Sequence, residues 1–238
     1  MIRNWAACSL AVAVLAGCGL FSDPPKRAPV ELTEIKAVLK PKALWSASIG
    51  KADSYTLSPA IGEGMVVVAA SNGNVYRLDG KSGRTDWRID VDFPISAGVG
   101  IGEGVAIVAG PKGQVAALAL ADGKTKWKVT VPGELLGNIL VHNSMAVLRS
   151  SDARLFALDA ATGARLWTLQ RPLPSLVLRA DSGISASGDL IFASFPGGRL
   201  LAIAGKTGTV RYDAAVALPK GTTELERVAD VVGTPVLE

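Results

Sequence analysis

Histidine is almost missing from these 238 residues, cysteine occurs twice, and aromatic residues make up only 5%. The single histidine, His142, reads as a loop residue between strands. A histidine-based metal cluster is therefore excluded, and a Ser-His-Asp triad would have only His142 to build on. Charge is also thin: 25 basic and 21 acidic residues are scattered along the chain for a net charge of +4, and no stripe of Lys and Arg tracks a phosphate backbone. Nucleic acid is excluded as a partner on that ground. No segment sustains a 3.6-residue apolar period, and the apolar run from Trp5 to Ala16 is twelve residues, too short to cross a bilayer as a helix. What the chain does have is 26 glycines, 13 prolines and 49% hydrophobic residues, the composition of a turn-rich globular domain with ample material for a core.

The N-terminus carries a processing signal. Arg3 precedes the apolar run, which ends in Leu15-Ala16-Gly17-Cys18. This ending resembles the bacterial lipobox, in which a peptidase cuts before the cysteine once its sulfur carries diacylglycerol. Residues 1–17 are thus expected to be removed, Cys8 with them, leaving Cys18 lipidated and the mature chain without a disulfide. Gly19 stands where retention at the inner membrane would call for Asp, so the resemblance implies an outer-membrane destination. Residues 18–40 are polar, with Pro24, Pro25 and Pro29, and form a tether that reaches about 70 Å when fully extended.

Residues 41–238 repeat. The segments NVYRLDGKSGRTDW (74–87), QVAALALADGKTKW (114–127), RLFALDAATGARLW (154–167) and RLLAIAGKTGTVRY (199–212) align without a gap. Each ends a turn on glycine (Gly83, Gly123, Gly163, Gly208) and places an aromatic four residues later (Trp87, Trp127, Trp167, Tyr212), while Trp45 fits the same position one period earlier. Within a unit, runs such as MVVVAA, VYRLD and RTDWRID are separated by tight turns, which is the pattern of antiparallel strands. Asp79 and Asp159 can cap the turn that follows them, and Ala119 and Ala204 at the equivalent places make that cap optional. The fold class is all-β: a β-propeller of four-stranded antiparallel blades, about four of them present, with the repeated Trp as the wedge between successive blades. Thr234-Pro235-Val236 opens a further blade that is not completed in this sequence, so an open, incomplete ring is expected.

The strand grid is rigid in length and the connections are not. Met65 to Trp87, Val105 to Trp127, Met145 to Trp167 and Leu190 to Tyr212 all span the same 22 positions. From an aromatic to the next second strand the spans are 20, 18, 18 and then 23, the last being the link RPLPSLVLRADSG from Arg171 to Gly183. A second long connection follows, from Tyr212 to Pro235, and contains GTTELERVADV, where Thr223 and Glu226 form a candidate capping box and Leu225 with Val228 could seat one helical turn. Added length on a rigid repeat scaffold usually carries function. Both links are expected on the same side of the ring, emerging a blade's width apart and together forming one exposed patch.

Taken together, the LAGC box, the blade motif LDAATGARLW and the two links RPLPSLVLRADSG and GTTELERVADVVGTP resemble the BamB family, lipoproteins of the bacterial outer-membrane β-barrel assembly complex. The resemblance covers essentially the whole chain. It implies an eight-bladed propeller with no catalytic activity and no cofactor, lipid-anchored at the periplasmic face of the outer membrane. It also implies binding to the periplasmic domains of the barrel protein BamA and support for outer-membrane protein insertion. The family's Leu-x-Leu-Arg falls on Leu176, Leu178 and Arg179, and the first acid of its Asp-x-Asp on Asp230; the second acid is Val232 here. Two apolar anchors beside a guanidinium have the composition of an interface hot spot.

Two other readings remain open at the level of sequence. A module that binds unfolded outer-membrane protein chains by β-augmentation would carry the same features. A quinoprotein-like enzyme would need cofactor-binding and calcium-binding side chains converging on the propeller axis, and the blade motif alone is shared with such enzymes.

Overall fold

Short apolar runs of alternating exposure, closed by turns that glycine permits, produce sixteen strands in four antiparallel sheets, each a simple meander of four. The computed structural model describes residues 31, 33, 38–178 and 182–237. By contact the chain divides into Met1–Lys42, almost all of it outside the described residues, and the body Ala43–Glu238. Blade 1 is β1 (Ala60–Gly62), β2 (Met65–Ala69), β3 (Asn74–Asp79) and β4 (Thr85–Asp90). Blade 2 is β5 (Gly100–Gly102), β6 (Val105–Ala109), β7 (Gln114–Ala119) and β8 (Thr125–Thr130). Blade 3 is β9 (Leu135–His142), β10 (Met145–Ser150), β11 (Arg154–Asp159) and β12 (Arg165–Gln170). Blade 4 is β13 (Ile184–Ser187), β14 (Leu190–Phe195), β15 (Arg199–Ala204) and β16 (Val210–Ala215).

The first two strands of blades 1 to 3 are joined by two-residue turns with positive φ at both places, Glu63-Gly64, Glu103-Gly104 and Asn143-Ser144, and those of blade 4 by Gly188-Asp189, with positive φ at Gly188. The blades stack face to face around the inner strands β1, β5, β9 and β13, forming the propeller arc and leaving the ring open. Alternation along the strands decides which core each residue joins. In β6, Ala106 and Val108 pack on blade 1, whereas Val105, Ile107 and Ala109 pack on blade 3. A sheet with a neighbour on both sides is therefore buried throughout, as β6 and β10 are, while β2 alternates between buried and half-buried.

The repeated tryptophans bridge blades as the repeat pattern requires. Each indole N–H donates to a carbonyl in the next blade's last turn: Trp45 to Gly80 at 3.1 Å, Trp87 to Leu120 at 2.9 Å, Trp127 to Ala160 at 3.0 Å and Trp167 to Gly205 at 2.6 Å. The ring lies on the glycine of that same turn. Gly163 has φ +77, and a Cβ there would stand 2.7 Å from the Trp127 ring, so glycine is needed both for the left-handed backbone and for the contact. Tyr212 occupies the equivalent place in blade 4 and is 71% exposed, with no following blade among the described residues. The Asp caps form as the sequence suggests. Asp79 Oδ1 accepts from the Ser82 hydroxyl at 2.6 Å and backbone at 2.8 Å, and Asp159 Oδ1 from the Thr162 hydroxyl at 2.7 Å and backbone at 2.8 Å; the hydroxyl bonds first, then the backbone bonds, hold both carboxyls below their ordinary range.

Candidate functional site

The two long links meet. The expectation placed them a blade's width apart in one exposed patch; they stand closer than that and hydrogen-bond to each other directly, the second link running beside 182–183 just before β13. Ser182 and Gly233 form a parallel bridge, Gly183 N–H donates to Gly233 O at 3.0 Å, and Ser182 Oγ donates to Val231 O at 2.7 Å. Farther out, the Ser175 hydroxyl donates to the Glu224 carboxylate.

Asp230 is the fastener of this arrangement. Its Oδ2 accepts from Leu178 N–H at 2.6 Å and its Oδ1 from Gly197 N–H at 3.0 Å, so one half-buried carboxylate ties the first link to the β14–β15 turn. Leu176 and Leu178 are held on the surface at 42% and 55% exposure, with Leu173 and Val232 also exposed. Arg179, the guanidinium that the resemblance adds to this patch, lies outside the described residues, as does Cys18. Among the described residues Leu176 and Leu178 are thus exposed near one another, whereas Asp230 is turned inward onto backbone N–H groups.

The second link is organised by its own chemistry. Thr223 Oγ1 accepts from Glu226 N–H at 3.3 Å, while the Glu226 carboxylate accepts from Thr223 N–H at 3.1 Å and Thr222 N–H at 2.9 Å, the reciprocal pattern of a capping box. One helical turn follows, with Arg227 N–H donating to Thr223 O at 3.2 Å. Val228 is half-buried under it, but Leu225 is not seated with it and is 76% exposed. The bonds to Thr223 and Thr222 hold the Glu226 carboxyl below its ordinary value of 4.5. A depressed carboxyl stabilises the turn fully above its unfolded pKa and loses that contribution as pH falls through the lower folded value. The Thr223 amide resonance is therefore expected to titrate with a midpoint below 4.5. Glu226→Gln should abolish that titration, and a midpoint at or above the ordinary value would show that the box does not form in solution.

Beneath the first link, between blades 3 and 4, lies a cavity of about 220 Å³ walled by Glu134, Leu136, Arg149, Ser150, Leu178, Pro196 and Asp230. Arg149 is only 7% exposed; it donates to Ser194 O, and its guanidinium stands 5.1 Å from the centre of the Phe195 ring. Burial pulls its pKa down to about 10 while the charge on Asp230 opposes the shift, so it is a cation at neutral pH. Sequence reading passed over Arg149, although a signal exists: it occupies the fifth position of the second strand, where the other blades have Ala69, Ala109 and Ser194.

The propeller axis differs in character. The cavity there is lined by Ser58, Ile61, Val99, Ile101, Asn138, Val141, Thr234 and their neighbours, with no ionisable side chain among the described lining residues. No group of three or more His, Cys, Asp or Glu able to hold a metal occurs among the described residues.

Comparison with known proteins places the chain. The crystal structure of BamB from Moraxella catarrhalis superposes with a TM-score of 0.70 at 23% identity, over 76% of this chain and 55% of that one. Quinohemoprotein alcohol dehydrogenase from Comamonas testosteroni shares the architecture more distantly, with a TM-score of 0.56 at 16% identity over 69% of this chain and 35% of that one. The outer membrane protein assembly factor BamB of Burkholderia pseudomallei is 40% identical over 97% of this chain and 60% of its own length. The chain thus spans about 60% of the length of the curated relatives it matches. The family model described as outer membrane protein assembly factor BamB matches residues 72–238, from the β2–β3 turn onward and with both long links included, and the chain belongs to that family.

Proposed function

We propose that this chain is a non-catalytic scaffold of the outer-membrane β-barrel assembly machinery, docking the periplasmic domains of BamA through the patch built by its two long links. The observation that carries the reading is the convergence of those links, which holds Leu176 and Leu178 exposed beside a carboxylate-fastened backbone. Apolar side chains held on ordered backbone lose little entropy on docking, which is what an interface anchor requires. The relatives' name, outer membrane protein assembly factor, supports the setting. A pull-down of the full chain with purified BamA periplasmic domains, run beside an unfolded porin, tests the reading. Capture of the BamA domains supports it. Capture of the porin alone replaces it with the second reading, binding of extended chains by β-augmentation, which the largely exposed outer strand β16 favours.

Lipid on Cys18 gives the scaffold its place, at the periplasmic face of the outer membrane. Cys18→Ala is expected to move the protein out of the outer-membrane fraction in cells that lack its partners. Undiminished partition of that variant would refute the anchor.

A further inference from the structure

We propose that Arg149 is a positioning residue for the docking surface: buried beneath the first link, its guanidinium holds the Asp230 carboxylate in the orientation that fastens Leu178. The geometry stands by itself; its consequence for binding rests on the docking reading above.

A guanidinium inside a propeller blade demands compensation, because burial removes its hydration. Three groups compensate Arg149: the Ser194 carbonyl, the face of Phe195, and the negative charge of Asp230 across the shared cavity. Asp230 lies on the wall of the same cavity, and its charge acts on Arg149. Asp230 has the converse need. Both its oxygens are committed to backbone N–H donors, and the Arg149 guanidinium shares the cavity wall with it. The two side chains also share a base. Arg149 is seated on Ser194 and Phe195, and Asp230 binds Gly197 two residues later, so the end of β14 and the turn after it hold both partners of the pair. A cation in blade 3 thereby sets the position of Leu178 in the link between blades 3 and 4.

The test uses the full chain, isotope-labelled, with variants Arg149→Met, Arg149→Lys, Asp230→Asn and the double variant Arg149→Met with Asp230→Asn. Hydrogen exchange of the Leu178 amide is expected to quicken by about tenfold or more in Arg149→Met and in Asp230→Asn, and no further in the double variant, because both remove one fastening. Arg149→Lys should recover part of the loss, and amides of β11 should exchange as before in every variant. Affinity for the BamA periplasmic domains should fall about tenfold alongside. Additive effects in the double variant, or an unchanged Leu178 amide in Arg149→Met, would overturn the assignment. If Arg149→Met does not fold, Asp230→Asn carries the test from the other side: the Arg149 Nε–H resonance should move, and an unmoved resonance refutes the pairing. Faster Leu178 exchange with undiminished binding supports the positioning role and removes the docking reading instead. Weaker binding with unchanged Leu178 exchange does the reverse.

Discussion

Trp127→Ala is expected to destabilise the domain by about 3–5 kcal/mol, because the side chain is buried between blades and its removal leaves a cavity that the flanking sheets cannot close. The loss is compounded at the Ala160 carbonyl, which forfeits its indole donor and contributes about 1 kcal/mol more. For a body of this size the melting temperature should drop by roughly 8–24 °C. The same substitution at the same repeat position in blade 4, Tyr212→Ala, should change stability by less than about 0.5 kcal/mol in the 238-residue chain, since Tyr212 is 71% exposed. The contrast is the informative part. Equal losses at the two positions would mean that the aromatic acts within its own sheet, and that the contact with the next blade's turn is incidental. Thermal melts of the two variants, followed by circular dichroism, decide this.

The second large effect concerns binding. Leu176→Ala with Leu178→Ala should weaken capture of the BamA periplasmic domains by about 1.5–3 kcal/mol per side chain if the partner covers both fully. Arg179→Glu places a repulsive or unpaired charge in the same contact and should cost about 2–5 kcal/mol if that contact is desolvated. None of these changes should unfold the blades, because 176–179 lies between β12 and β13 and the two leucines are already at the surface. Circular dichroism and titration of the same preparations separate the outcomes. An intact fold with undiminished binding in Arg179→Glu sinks the docking assignment, and a collapsed fold would mean that these residues serve the core.

The repeat carried most of the fold in plain view. A 22-position grid with glycine and an aromatic at fixed places can be read from sequence because each element is local: the tight turns, the Asp79 and Asp159 caps and the Thr223–Glu226 box all join residues a few positions apart. The tryptophan wedge could be read for a related reason. Its partner lies in the next copy of the same motif, so one period predicts the contact.

Where two non-repeated links would lie, and what their side chains would face, depended on the tertiary structure alone. Asp230 reads in sequence as a surface acid available to a partner, yet its oxygens are spent on the amides of Leu178 and Gly197, which lie 52 and 33 positions away. Arg149 reads as one more charged residue in a strand, yet it is buried against Ser194 and Phe195 of the neighbouring blade. Periodicity is silent on both, because each is a single departure from the repeat whose meaning comes from a second departure elsewhere in the chain. The sequence by itself determined the blades, their wedges and their turns, since these follow from local backbone preference and a repeating apolar face. Only the packing of blade 4 against blade 3, which brings the two links together over one buried cation, decided how the exposed leucines are held.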